Sequence, residues 1–376
     1  MAGASDPIRG LIDGARNPTA SLEVGRYYGQ ELARRLTHYL DKRRNGYRHF
    51  GSLAEAAETV LADSAEVGFE AGGHFRGVWP RDLCFAAGGL STAGYGEAVG
   101  ETGEWLLEEL SDVFYTDFHE RYNAATPAEG VDTFPALVVA LDEAGRLEAN
   151  ENAVADLAAL HREKFVEDGF VAGNGSSWWD SAARPREAYN TAMLLAASER
   201  LESRDVETTF TGQSDRIRET LHSRLWNGEY VDERRGSSTL ACDANVVALY
   251  FGLLPDERAA SVVEALSTLE TPYGIRMRKR PFSRREVHPF FLFHREYHYH
   301  VWPWNGFLYA IGLARYGYDE RSRAEMARLE RLLEPYGNFL EVCTADGKPY
   351  VKRGYASAEE FTVAAALWIE YDRDYR

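Results

Sequence analysis

Apolar residues recur at helical spacing along most of the chain. Segments 21–41, 52–66, 81–95, 96–110, 131–145, 151–166 and 186–203 each carry an apolar stripe with polar residues opposite. So do 213–225, 240–253, 256–268, 304–316, 320–334 and 357–371. Val154, Leu157 and His161 keep the period in one segment, Leu194, Ala197 and Leu201 in another, and Met326, Leu329 and Leu333 in a third. About a dozen helices in 376 residues leave roughly 31 positions per helix with its connection, enough for three or four turns and a real loop. Strand signals are short. NGEYVDER (227–234) and NFLEVCTADGKPYV (338–351, turning at Asp346-Gly347) predict small hairpins.

Helices of this number and spacing pair into hairpins. With no motif repeating at a fixed period, the pairs predict a closed (α/α)6 toroid rather than an open solenoid. The expected architecture is all-α, one catalytic domain over 1–376, with short β-hairpins in the loops. No stretch rich in Pro, Gly or Ser divides the chain.

Composition narrows the class. The formal net charge of −17 disfavours nucleic acid and anionic membranes, which need clustered cations. No stretch reaches the ~20 apolar residues of a membrane span, and the N-terminus lacks the apolar core of a signal peptide, so a cytoplasmic protein is expected. Cys84, Cys242 and Cys343 are too few and too widely spaced for a disulfide framework or a zinc site. No glycine fingerprint for a dinucleotide or a nucleoside triphosphate occurs, and no cofactor or metal is expected. Monomer and homo-oligomer both stay open.

The chemistry concentrates in the loops. Trp79-Pro80-Arg81-Asp82 enters a helix, with Pro80 suited to its first turn and Asp82 to its dipole. Arg81 and Asp82 also make a fork of donors and acceptors for neighbouring sugar hydroxyls. Asp132 precedes an apolar helix as a cap or a ligand. In GNGSSWWDSAARPRE (173–187), Asp180 follows Trp178 and Trp179 and precedes Arg184. Indole neighbours desolvate a carboxyl and raise its pKa, as a general acid requires. HREYHYHVWPWN (294–305) gathers histidines and aromatics, with His300, Trp302, Trp304 and Asn305 as candidate sugar contacts. Glu341 lies between Leu340 and Val342, out of place unless it has a partner or a task, and Tyr355 follows in the same region.

Four of these segments resemble, in order over roughly 70–370, the catalytic toroids of glycogen-debranching amylo-α-1,6-glucosidases and glucoamylase-like hydrolases. VWPRDLCFAAGGL is similar to their first Trp-Pro segment, SSWWDSAARPREAYN to their acid loop, VWPWNGFLYAIGL to a later sugar-lining segment, and NFLEVCTADGKPYVKRGYASAEEF to their C-terminal Glu segment. The resemblance implies an inverting glycoside hydrolase that cleaves an α-glucosidic bond in a small-molecule carbohydrate, with Asp180 as acid and Glu341 as base. Neutral invertases, trehalases and hydrolases of glucosylglycerate or mannosylglycerate share the pattern. A sugar epimerase using His298 and His300, and a sugar-binding toroid without catalysis, are the other classes.

Only five of the 42 basic residues are lysines (Lys42, Lys164, Lys279, Lys348 and Lys352). An acidic, Lys-poor surface is expected of a halophilic source; a GC-rich genome is the plainer explanation. Salt adaptation predicts a thermal midpoint several degrees higher in molar KCl than in dilute buffer. A flat or falling midpoint in that titration removes the halophile reading.

Overall fold

The computed structural model describes residues 18–75, 77–109, 130–167, 169–171, 182, 186–287 and 289–376. It opens with a long helix, α1 (Pro18–Asn45), followed by α2 (Leu53–Glu66). Ser52 caps α2 by accepting from the Glu55 N–H at 3.1 Å, while the Glu55 carboxylate accepts from the Gly51 N–H. Then come α3 (Pro80–Thr92), α4 (Gly96–Glu109), α5 (Thr133–Glu143), α6 (Glu151–Phe165), α7 (Glu187–Ser203) and α8 (Ser214–Glu219). The chain continues with α9 (Cys242–Tyr250), α10 (Asp256–Ser267), α11 (Pro303–Arg315), α12 (Asp319–Leu333) and α13 (Thr362–Asp374).

Alternate helices form a closed ring. α3 packs on α5, α5 on α7, α7 on α9, α9 on α11, α11 on α13, and α13 returns to α3. The intervening helices α2, α4, α6, α8, α10 and α12 lie outside that ring. This is the (α/α)6 toroid. The two sets differ in sequence for the reason that they differ in place. Every residue of α9 is buried, as is all of α7 from Glu187 to Ser198. Helices apolar on all sides belong in an interior. α10 buries only Ala259, Val262, Val263 and Leu266, the one-sided stripe of a covering helix. Close approach within the ring needs small residues: a Cβ on Gly89 of α3 would stand 2.0 Å from the Ala366 carbonyl oxygen of α13.

The ring has two unlike faces. At the C-terminal ends of inner helices the chain turns tightly. After α3, Gly94 is left-handed and the Tyr95 N–H closes on the Leu90 carbonyl at 2.8 Å; Gly145 repeats this after α5. After α7 a non-glycine, Asp205, takes the same conformation at φ 53°. The long connections, such as 268–302 between α10 and α11 and 334–361 between α12 and α13, all lead into the N-terminal ends of inner helices. The functional side chains therefore collect at that face.

The helix boundaries follow the sequence reading closely, with two differences. The last helix begins at Thr362, not at 357. Residues 357–361 stay extended because their backbone pairs elsewhere: Ala358 accepts from the Glu341 N–H at 3.0 Å and Phe361 donates to the Phe339 carbonyl at 3.1 Å. The segment expected as one helix over 213–225 breaks into α8 and a π turn at Thr220–Arg224. The expected hairpins also shrink. Residues 227–234 retain one bridge, Trp226 to Val231, as the Asn227 side chain takes the Glu229 and Tyr230 N–H groups into an Asx turn. Residues 338–351 retain the bridge from Cys343 to Pro349. The two-residue ladders lie instead at β1–β2 (Val166–Glu167 with Phe170–Val171), β3–β4 (Glu270–Thr271 with Gly274–Ile275) and β5–β6 (Val351–Lys352 with Tyr355–Ala356).

Two helix carboxyl groups, Glu370 and Glu325, are buried. Glu370 of α13 accepts from the Tyr250 hydroxyl, and Glu325 of α12 accepts from the Ile275 N–H at 2.7 Å. Burial pushes each up from 4.5 to about 7, against the pull of Arg315 and Arg328 respectively. A carboxyl raised in the folded state stabilises the fold below its unfolded pKa and loses that contribution as pH rises through the folded value. Stability is therefore expected to decline between about pH 4.5 and 7. Glu370→Gln is expected to make the decline shallower by roughly 2 kcal/mol, measured as denaturation free energies at pH 5 and 8. A variant with the wild-type slope would count against the assignment.

Candidate active site

Two of the inner helices begin on the same dipeptide. Trp79 and Trp302 are extended at the N-cap positions of α3 and α11, and Pro80 and Pro303 follow as first helical residues, where a missing N–H costs nothing. α13 lies between these helices in the ring and begins after Phe361. A cleft opens among these three helix ends. Trp79, Arg81, Asp82, Trp302, Trp304 and Phe361 line it from the helices, and Arg35, Phe75, Phe291, Tyr297, His298, Glu341 and Tyr355 from the segments around them.

Glu341 is 2 % exposed, and its carboxylate is held by donors on both oxygens. Oε1 accepts from the Tyr297 hydroxyl; Oε2 accepts from the Tyr355 hydroxyl at 2.7 Å and from the Ala358 N–H at 3.0 Å. The two phenols also meet each other at 2.8 Å. A carboxylate offers about four acceptor sites, so the three donors found among the described residues leave one, on Oε1. Burial raises the Glu341 pKa, opposed by these hydrogen bonds and by the Arg35 charge. Burial also pushes both tyrosines well above 10, which keeps them protonated as donors. The group is thus a desolvated carboxylate with a free lone pair at a cleft wall, as a base acting on water requires.

The segment around Glu341 is anchored by α1. His38 Nε2 lies 3.0 Å from the Ser357 carbonyl, Lys42 donates to the Glu359 carboxylate, and the Arg48 N–H reaches the other Glu359 oxygen at 2.7 Å. One turn before His38, Arg35 enters the cleft wall, 6.0 Å from the Tyr355 ring centroid.

Asp180, Trp178, Trp179 and Arg184 lie outside the described residues. Ala182 is described and bridges to Val287, four positions before Phe291. Asp132 occupies the N-cap position of α5, but its side chain does not cap the helix. It accepts from the Tyr189 hydroxyl at 2.9 Å and stands 3.7 Å from Arg81, behind the cleft lining. His300 is not among the lining residues; its ring packs near Tyr350 at 5.4 Å. His298 takes that place, stacked on Trp302 at 4.8 Å. Tyr297–Tyr299 is a 3₁₀ turn that sends the two histidines apart. Asn305 is fully buried in α11 beside the Cys242 thiol and does not reach the cleft.

Sequence reasoning did not single out Arg35, Phe75, Phe291, Tyr297 or Phe361. Tyr297 carried a signal, its place in the aromatic run before Trp302. Arg35 carried none, since it reads as one cation on a polar helix face.

A buried ionic network supports α7 and α9. Arg186 donates to Asp243 at 2.8 Å and to Glu233 at 2.7 Å; Arg278 donates to both Glu233 oxygens at 3.0 Å and to Glu286 at 2.9 Å. The paired arginines hold Glu233 down to about 2 despite its burial.

No family model matches the sequence, and no curated protein does. The fold has clear likenesses among solved structures. A glycosidase variant solved with glucose matches with a TM-score of 0.65 at 16 % identity, covering 91 % of this chain and 97 % of that one. A mannosylglycerate hydrolase from Thermus thermophilus, solved with Tris and D-glycerate, matches with a TM-score of 0.62 at 14 % identity, covering 85 % and 100 %. An uncharacterized conserved protein from the same organism matches with a TM-score of 0.63 at 14 % identity, covering 86 % and 100 %. At these identities the likeness establishes the toroid, a fold shared with glycosidases.

Removing Arg278, which is fully buried, takes from Glu233 and Glu286 one of the two arginines that each of them pairs with. Arg278→Met is expected to cost about 3–5 kcal/mol in urea denaturation. Arg280→Met, on an exposed pair with the same Glu286, is expected to cost about 1 kcal/mol or less. Similar losses in both variants would contradict the network.

Proposed function

We propose that this chain is an inverting glycoside hydrolase acting on a small α-glucoside, with Glu341 as general base and Asp180 as general acid. The observation that carries the reading is the Glu341 carboxylate, buried at an aromatic cleft wall and oriented by Tyr297, Tyr355 and the Ala358 N–H. Purely structural carboxylates in cores are usually paired with a cation, as Glu233 is. Glu341 is instead held by neutral donors and keeps one lone pair for a ligand.

In the reaction, a water on Oε1 of Glu341 gives it a proton and attacks the anomeric carbon. The bond to the leaving oxygen breaks as Asp180 supplies that oxygen with a proton. The sugar leaves with inverted anomeric configuration, and solvent returns both carboxyl groups to their starting states. This requires the two groups about 6.5–9.5 Å apart across the bond. Trp79, Trp302, Trp304 and Tyr355 offer faces for the sugar ring, while Arg81 and Asp82 bind its hydroxyls. Trp178, Trp179 and Arg184 complete the site from the acid's loop. Asp132 acts behind them by holding Arg81. The chain works as one catalytic unit without a cofactor, in the cytoplasm, and no described helix is long and apolar enough to cross a membrane. Two fold neighbours solved with glucose or D-glycerate support a sugar or sugar-derived ligand. Epimerisation by paired histidines fits less well, as only His298 lines the cleft.

Asp180→Asn and Glu341→Gln are each expected to lower kcat on alkyl α-glucosides by about 10²–10⁴. α-Glucosyl fluoride separates the roles, because fluoride departs without a proton. Asp180→Asn should recover on it and Glu341→Gln should not, with β-glucose appearing first by NMR. Near-normal turnover of alkyl glucosides by either variant would falsify the assignment.

A further inference from the structure

α1 is amphipathic the wrong way round. Between Gly29 and Leu40 the described side chains left in water are Leu32, Ala33, Leu36, Thr37 and Leu40, and none is charged. The cations of this helix turn toward the protein instead. Arg34 and Arg35 are half-buried, and Arg35 lines the cleft. His38 Nε2 meets the Ser357 carbonyl, and Lys42 donates to Glu359 with its side chain 8 % exposed. A helix that covers a soluble domain does the reverse and turns its apolar stripe inward.

The exposed stripe continues onto the neighbouring segments. Leu32, Leu36 and Phe293 line one hollow, Leu292 precedes Phe293, and Val351 lies on β5, against which α1 packs. Seven large apolar side chains are exposed among the described residues. Leu32, Leu36, Leu40, Leu292, Phe293 and Val351 are six of them, and Phe293 reaches 70 %. Single exposed apolar residues are ordinary on any surface, whereas a cluster of them marks a contact site.

The charge around this patch is opposite to that of the chain. Residues 29–48 hold six cations and two acids, and Lys352 and Arg353 follow Val351, in a protein of net charge −17. Glu296, Glu359 and Glu360, the acids nearby, are each paired with a cation of this group. Arg43 and Arg44, at i+3 and i+4 from Leu40, are exposed and pair with no carboxylate among the described residues. The overall charge disfavours an anionic membrane only where it is evenly spread, and at this face it is reversed. A second copy docked by the same face would set these cations against each other across a two-fold axis. An uncharged apolar stripe fringed by arginine and lysine matches instead the acyl boundary and headgroups of an anionic bilayer. We infer that α1, with the Phe293 segment and β5, docks this chain peripherally on an anionic lipid surface. Arg35 lies between Leu32 and Leu36 in the helix, so the cleft opens beside the headgroups. The docking does not depend on what the cleft hydrolyses.

Cosedimentation with vesicles tests it, in the lowest KCl that keeps the wild type folded by circular dichroism, since salt screens the contact. Binding to phosphatidylcholine vesicles carrying about one third phosphatidylglycerol is expected to be about tenfold tighter than to phosphatidylcholine alone. The double variants Leu36→Gln, Leu40→Gln and Arg43→Gln, Arg44→Gln, all at exposed positions, should each weaken it by about tenfold. Phe293→Gln, on a different element, gives the same readout should a helix variant fail to fold. No binding of the wild type to the mixed vesicles overturns the inference, whether residues 1–17 or an acidic protein takes the face. Binding that either folded double variant retains in full also overturns it, because another surface then holds the lipid. Sedimentation equilibrium without lipid decides the remaining occupant. A wild-type dimer that the leucine variant converts to monomer makes the face an interface between copies and overturns the lipid docking.

Discussion

A single buried carboxylate orders the loop face of this toroid. Glu341 is almost wholly removed from water and has no ion-pair partner in its hydrogen-bond set, so its charge must be met by neutral donors. Three are supplied from two chain segments: the Tyr297 turn, and the extended stretch that carries Tyr355 on β6 and runs on to the backbone at Ala358. Each has a structural consequence. Tyr297 must sit on a 3₁₀ turn to reach Oε1, and that turn places His298 over Trp302. Ala358 can donate to Oε2 only while its segment is extended, which delays α13 to Thr362. The long helix α1, through His38 and Lys42, and the Arg48 backbone just after it then fix that extended segment.

The ring behind it works by a different principle. Its six helices touch through small and apolar residues, as at Gly89 against Ala366, and present their N-terminal ends to one face. Tight left-handed turns at the opposite ends use few residues, which leaves the length of every long connection on the functional side. The N-terminal ends carry fixed donor character and begin on Trp-Pro steps where the cleft forms. On the α7 and α9 side the same ends are tied by Arg186 and Arg278, which join Asp243, Glu233 and Glu286 in one network.

The helices were readable because burial on a ring is written directly into periodicity. Leu194, Ala197 and Leu201 mark α7, and Met326, Leu329 and Leu333 mark α12, within a residue or two of the observed ends. Glu341 was readable because a carboxylate between Leu340 and Val342 conflicts with its surroundings. Arg35 and Tyr297 were not, because their roles come from tertiary placement: Arg35 lies 306 positions before Glu341, and nothing local distinguishes it from Arg34. Asn305 and His300 looked functional for the converse reason. They stand in a loop rich in aromatics, but a helix turns Asn305 inward toward Cys242 and a 3₁₀ turn carries His300 to Tyr350.

The same geometry bears on the shortage of lysine. The buried cations at the loop face are arginines, and their planar forks meet two carboxylates at once: Arg186 joins Asp243 with Glu233, and Arg278 joins Glu233 with Glu286. A lysine ammonium is a point charge with no fixed fork and a larger hydration cost, so it cannot replace them without leaving acceptors unmet. Lys42 and Lys352, which do reach this region, make contacts of the simpler kind, Lys42 to Glu359 with Asp41 beside it and Lys352 to Glu296. Part of the arginine excess is therefore a requirement of the fold. The −17 charge is of separate origin, carried by acidic residues on exposed faces such as Asp215 and Glu264. Salt dependence would act on those exposed groups, which solvent screens, and far less on the buried network at α7 and α9.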